Sequence, residues 1–199
     1  MRKKIKDTKE IRKINIFTKE YTHIVMGSGS NDKEKYSPEA SRETLDHSAM
    51  YIFAVALEDG EWHHEKSYAE NRKKKKETID LWNKIETFES DEWNKKYYDV
   101  SDPLQKAQGA KVEIILNNND KITDQLDYAN AHPKGKTPFV RENYINKMKK
   151  LFKNIVEEKE EKRFLNLIDN LSNLNQDEVK RLNVNCKEGF LNLENNKIK

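Results

Sequence analysis

The stretch from Ser41 to His64 carries the residues whose types and spacing best suit chemistry. It joins a histidine and a tyrosine to an apolar run, Ser48–Leu57, in an otherwise polar chain. His47 and Tyr51 are four positions apart, which places both side chains on one face of a continuous helix. An imidazole and a phenol on one face suit proton transfer and hydrogen bonding to one ligand. His47 and Tyr51 are therefore the candidate catalytic residues.

Structural roles for the same residues remain open. Tyr51 can simply anchor a buried helix, since buried tyrosine hydroxyls usually find partners, and His47 can be a structural histidine near the helix start. Arg42 is a candidate substrate-binding residue, because a planar guanidinium can bind a carboxylate through two hydrogen bonds. A surface ion pair with Glu39 or Asp46 is the alternative for Arg42.

The remaining histidines and the cysteine predict no metal site. We expect the adjacent rings of His63 and His64 to point apart, and neither they nor His132 belong to a ligand set of recognised spacing. Cys186 is the single cysteine, so the sequence offers no thiolate zinc site and no disulfide framework. The lone cysteine predicts a reducing, cytoplasmic setting.

Composition narrows the class of protein. The 199 residues are 37% charged and 35% hydrophobic with a net charge of +3, which predicts one domain or slightly more with a modest core. This near balance argues against a nucleic-acid partner. The one compact basic run, Lys73–Lys76, is either a solvated segment or a small phosphate- or RNA-binding patch. No stretch approaches the ~18 apolar residues of a membrane span, so we expect no membrane partner.

Patterns of strands and helices alternate along the chain. Ile11–Phe17 has the alternation of a strand, and Lys111–Leu116 followed by Lys121–Tyr128 predicts a β-hairpin. Ser37-Pro38-Glu39 predicts a helix N-cap followed by proline in the first turn, and Ile79–Phe88 predicts a short amphipathic helix. We therefore predict an α+β fold with a small antiparallel sheet and packed helices.

Two further segments have clear local patterns. Apolar stripes at Tyr144–Ile155 and Phe164–Leu171 predict a C-terminal helical hairpin, and Asn175 with Glu178 predicts a capping box. Gly27–Ser37 predicts a loop, whose GSGS segment lacks the glycine spacing of a phosphate-binding loop.

Four blocks of the sequence together resemble the C-terminal portion of enzymes of the MmgE/PrpD family. In chain order they are RETLDHSAMYIFAVALEDGEWHH, DEWNKKYY, DPLQKAQGAKVEI and ANAHPKGKTPFVRENY. The resemblance runs from about Ile5 to about Leu182. It implies a lyase without metal or other cofactor that removes water from 2-methylcitrate in propionate breakdown; relatives include cis-aconitate decarboxylase. It also implies a lid-type α+β domain over 5–135, helices over 136–183 that pack on an N-terminal helical domain, and a polar tail over 184–199.

The resemblance assigns roles to particular residues. Tyr51, in HSAMY, matches the lid tyrosine that faces the substrate cleft, and Lys134 lies in a loop near the domain junction, where its charge suits a tricarboxylate. An exposed lysine is the alternative there. Most catalytic residues of the family belong to the N-terminal helical domain, so we expect this chain to need a separately encoded N-terminal half, or to be an inactive relic. A free-standing module that binds an acidic metabolite or a protein is the other alternative, and the oligomeric state is left open.

Overall fold

A computed structural model describes residues 2–190, which fall into two compact units. The first unit ends at Pro138 and the second begins at Phe139. All strands of the described residues belong to the first unit, whereas the second is helical. None of the described helices is long and apolar enough to cross a membrane.

The first unit is built on a four-stranded sheet in the order β2-β1-β3-β4. Its strands are β1 (Ile11–Thr18), β2 (Ile85–Glu89), β3 (Ala110–Leu116) and β4 (Lys121–Leu126). The pairs β1–β3 and β3–β4 are antiparallel, whereas β1–β2 is parallel. The α+β class, the first strand and the hairpin are therefore confirmed, and the sheet is mixed because of β2.

Short helices connect and cover these strands. The described residues of the first unit form α1 (Glu20–Val25), α2 (Arg42–Asp46), α3 (Ala49–Asp59), α4 (Glu70–Lys73), α5 (Lys76–Trp82) and α6 (Asp91–Tyr98).

The prediction of a helix over Ile79–Phe88 is wrong for its second half. Helix α5 ends at Trp82, and the chain enters β2 at Ile85. Ile85 pairs in register with Ile14 of β1, and both side chains are fully buried. A short apolar run fits helix and strand spacing alike, so pairing with a distant strand decided the outcome.

The predicted start of the next helix is also wrong. Pro38 and Glu39 form a turn, and α2 begins only at Arg42. Its N-cap is Ser41, whose Oγ accepts a hydrogen bond from the backbone N–H of Thr44 at 3.2 Å. A serine at either position can cap a helix, and local composition does not separate the two.

Helix α3 is the centre of the core. It ends at Asp59, and Gly60 follows it with φ of 78° and donates its N–H to the carbonyl of Ala56. The left-handed conformation suits glycine because it has no Cβ. Around α3, the fully buried core side chains come from β1, β2, β3, α2 and α5: Ile11, Ile14, Leu45, Trp82, Ile85 and Ile114.

The second unit confirms the predicted helical hairpin. Helices α7 (Arg141–Phe152) and α8 (Glu158–Asp169) are antiparallel, because Arg141 pairs with Asp169 while the rings of Phe152 and Phe164 lie 6.3 Å apart. The capping box at Asn175 opens α9 (Gln176–Val179), as predicted. No described residue from 139 to 190 is buried.

Candidate functional site

Tyr51 lies inside the core of the first unit. Its side chain is 0% exposed, and its ring meets that of Trp82 edge-on at 4.8 Å between centroids. Its hydroxyl donates to the backbone carbonyl of Ser67 at 2.5 Å. Burial raises the pKa of Tyr51 to about 12. These contacts match the helix-anchoring alternative, and a direct catalytic role stays a prediction.

His47 does not share a helix with Tyr51, so the expectation of one common face is wrong. The helix is interrupted at Ser48, between α2 and α3. The Oγ of Ser48 caps α3 by accepting a hydrogen bond from the backbone N–H of Tyr51 at 3.2 Å. The exposed His47 has its Nδ1 2.9 Å from the carbonyl of Glu43. A carbonyl only accepts hydrogen bonds, so Nδ1 carries the proton and Nε2 is an acceptor in the neutral ring.

Arg42 is an exposed guanidinium held in place by neutral groups. Its Nη2 donates to the backbone carbonyl of His64 at 2.9 Å, and its guanidinium carbon lies 5.4 Å from the ring centroid of Tyr68. Neither predicted ion pair is formed, because Glu39 pairs with a lysine and Asp46 accepts from Tyr68. Within residues 2–190 no carboxylate is in ion-pair distance of Arg42.

Tyr68 connects the surface around Arg42 with the buried Tyr51, and sequence reasoning missed it. Its hydroxyl donates to Oδ1 of Asp46 at 2.6 Å and accepts from Nε1 of Trp62 at 3.1 Å. Its ring is 5.9 Å from that of Tyr51. Burial, followed by the hydrogen bond to Asp46, raises the pKa of Tyr68. The available signal was the density of aromatic and imidazole groups in EWHHEKSY, directly after the helix end.

His63 and His64 lie in the same segment with their rings stacked. The ring centroids are 4.6 Å apart at an interplanar angle of 15°, so the expectation that they point apart is wrong; the segment turns instead of extending. Nδ1 of His63 accepts from the backbone N–H groups of Glu65 and Lys66 at 3.1 and 3.3 Å. The described residues contain no group of three or more His, Cys, Asp or Glu arranged to hold a metal ion.

Lys134 is separate from these residues. It is an exposed residue in the loop after β4, and its Nζ lies 5.7 Å from the ring centroid of Tyr128. Its backbone N–H donates to Nδ1 of His132 at 3.1 Å. No contact in the described part of the chain joins Lys134 to Arg42, His47 or Tyr51.

A groove of about 640 Å³ with both polar and apolar lining residues lies beside the edge strand β2, and sequence reasoning missed it. Ser28 lines it and caps the edge: its Oγ donates to the carbonyl of Thr87 at 3.1 Å and accepts the N–H of Thr87 at 3.0 Å. Nδ1 of His23 lies 2.8 Å from Oγ1 of Thr87. A Cβ on Gly27 would lie 2.1 Å from that Oγ1. The prediction of a loop over Gly27–Ser37 is wrong in part, because Ser28–Ser30 and Lys33–Tyr36 form short 3₁₀ helices. The polar groups of the GSGS segment cover a strand edge.

Three of the four lysines in the basic run Lys73–Lys76 form ion pairs with acids. Nζ of Lys73 is 2.7 Å from Glu70, Lys74 is 3.5 Å from the same residue, and Lys75 is 3.5 Å from Glu58. These pairs favour a structural role for the three lysines.

The fold and the site define the class as an α+β domain with a small mixed sheet and a buried tyrosine below a partly exposed polar surface. The sequence matches the MmgE/PrpD C-terminal domain over residues 1–173. Because the match covers most of the chain, the chain belongs to the MmgE/PrpD family, as its four sequence blocks predicted. Members of this family are enzymes of the hydro-lyase type.

Proposed function

We propose that this chain is the lid part of a 2-methylcitrate dehydratase, which converts 2-methylcitrate into 2-methyl-cis-aconitate and water. The observation that carries the proposal is the family match over residues 1–173. The four blocks in register closely resemble the methylcitrate enzyme, which supports the choice of substrate.

The reaction defines what the protein must provide. A base takes a proton from carbon, an acid protonates the departing hydroxyl, and a carbon–carbon double bond forms as water leaves. Cationic groups must also hold three carboxylates in place. Arg42 and Lys134 are the proposed carboxylate-binding residues of this chain, and His47 is the proposed proton-transfer residue. Tyr51 reaches a substrate only if its hydrogen bond to Ser67 breaks when the lid closes.

We propose that the partner of the lid is an N-terminal helical domain of the family type, which carries the other catalytic groups. The uncovered apolar side chains of the second unit support this, since Tyr144 is 59% and Leu151 is 43% exposed. Covering such residues gains about 25 cal/mol for each Å² of apolar surface.

The test is turnover of 2-methylcitrate by the purified chain, alone and mixed with the helical domain of a family member. Ultraviolet absorbance of the new double bond conjugated to carboxylates follows the reaction. We expect little or no turnover by the chain alone and clear turnover by the mixture. Citrate and cis-aconitate, assayed in parallel, identify which reaction of the family applies.

Each other outcome has a clear meaning. Full turnover by the chain alone contradicts the need for a helical partner. Absence of turnover in every mixture contradicts the lyase proposal and favours a non-catalytic binding module or relic, which the burial of Tyr51 also supports. In an active mixture, loss of turnover in Tyr51→Phe with unchanged stability identifies Tyr51 as catalytic.

A further inference from the structure

We infer that the partly exposed surface formed by Arg42, Trp62, His63 and His64, with the buried Tyr68 beneath it, binds one carboxylate of the substrate. We call it the Arg42 surface. The inference rests on the proposed function and deepens it, because it names the contact through which the lid recognises a polycarboxylate.

The first argument is the state of the Arg42 guanidinium. Arginine has five N–H donors, and the structure uses one of its terminal nitrogens on the carbonyl of His64. The ring of Tyr68 supports the group at 5.4 Å without neutralising it. A positioned guanidinium without a carboxylate partner is suited to two parallel hydrogen bonds with an incoming carboxylate.

The second argument is the tautomer of His63. Nδ1 accepts two backbone N–H groups, from Glu65 and Lys66, so the ring proton of the neutral imidazole must be on Nε2. Nε2–H forms no hydrogen bond within residues 2–190. The neighbouring His64 ring stacks on it and keeps its orientation. The surface thus presents a neutral donor as well as a cation.

The third argument is the environment provided by Trp62. Its side chain is 45% exposed, while its indole N–H is held by the hydroxyl of Tyr68 at 3.1 Å. Trp62 and Arg42 both contact the ring of Tyr68, so an aromatic side chain is available to cover the carbon skeleton of a ligand whose carboxylate Arg42 binds. Of the nearby acids, Asp46 accepts from Tyr68, and Glu65, which is 76% exposed, lies 3.9 Å from Nε2 of His64. The pKa of the exposed Glu43 is lowered by hydrogen bonds and further by the charge of Arg42, but the two side chains form no ion pair.

The experiment uses Trp62 as the reporter in the 199-residue chain. The other two tryptophans, Trp82 and Trp93, are 0% and 1% exposed, so a change caused by a surface ligand comes from Trp62. Citrate, 2-methylcitrate and tricarballylate are titrated at constant ionic strength against sodium chloride. We expect a saturable change of tryptophan emission with each tricarboxylate.

Two substitutions make the test specific. Arg42→Gln should weaken tricarboxylate binding about tenfold or more, since a hydrogen bond to a charged group is lost. Arg12→Gln, an exposed arginine on β1, removes the same charge elsewhere and should change affinity by less than about twofold. Arg42→Lys keeps the charge but loses the planar guanidinium and should give an intermediate affinity. This variant tests the same site if Arg42→Gln does not fold.

The inference is overturned if no tricarboxylate gives a saturable signal beyond that of chloride, or if Arg12→Gln weakens binding as much as Arg42→Gln. That failure is separate from failure of the proposed function. A chain that turns over 2-methylcitrate with the helical domain, yet has normal turnover in Arg42→Gln, keeps the function and loses this site. Specific binding without turnover keeps the site and removes the reaction.

Discussion

Tyr51 and Tyr68 are two packed phenols whose protons the folded protein holds more tightly than the unfolded chain does. Burial is the leading cause for both, and for Tyr68 the hydrogen bond to Asp46 adds to it. A group with a raised pKa in the folded state contributes stability that is complete below its unfolded pKa and is lost as pH rises through the folded value.

The ordinary pKa of tyrosine is about 10, and the pKa of Tyr51 in the folded protein is about 12. We therefore predict that the free energy of unfolding falls as the pH rises between these two values. Tyr51→Phe should reduce that fall by about 2 kcal/mol. Urea unfolding at a series of pH values measures it. Tyr21→Phe is the matched control, because Tyr21 is 55% exposed. An equal effect of both substitutions would refute the prediction.

At the scale of elements, the edge of β2 depends on one serine. Ser28 satisfies both the N–H and the carbonyl of Thr87 through its side chain, as a neighbouring strand would. Tyr36 also satisfies a backbone group of β2, because its hydroxyl donates to the carbonyl of Ile85 at 2.9 Å. Unpaired strand edges invite pairing with other chains, so this cover protects the sheet.

Ser28→Ala should lower the free energy of unfolding by about 1–3 kcal/mol, because it leaves backbone groups of Thr87 without partners. Ser30→Ala is the comparison, since its Oγ donates to the carbonyl of Gly27 at 2.9 Å and accepts the exposed N–H of Asp32 at 3.3 Å, and it should cost about 1 kcal/mol or less because water can replace these bonds. Chemical denaturation gives both values, and light scattering tests whether the Ser28 variant associates. Equal losses in the two variants would show that Ser28 has no special role.

For the whole molecule, burial differs between the two units. The first contains the fully buried side chains around α3, whereas the described part of the second contains no buried residue. Segments with few buried apolar contacts open more easily.

We predict that amide hydrogen exchange in the isolated chain is slow in β1 and α3 and much faster in α7 and α8. Addition of the helical domain of a family member should slow exchange in α7 and α8 selectively, because it covers their apolar side chains. Strong protection from Tyr144 through Leu171 in the isolated chain would contradict this prediction and show that these helices are stabilised without a partner.

The sequence by itself determined the family, the α+β class and several elements with a strong local signal. The alternation in Ile11–Phe17, the glycine after Asp59 and the capping box at Asn175 act over a few residues. These local signals predicted the observed structure because they do not depend on residues that are distant in the sequence.

Features that depend on contacts between residues far apart in the chain were decided only by the tertiary structure. Ile85 became part of a strand because Ile14 lies beside it, and His47 was separated from Tyr51 because Ser48 caps a new helix instead of continuing one. Tyr68 entered the site because folding places it between Arg42 and Tyr51. These placements follow from packing energy, which no local pattern contains.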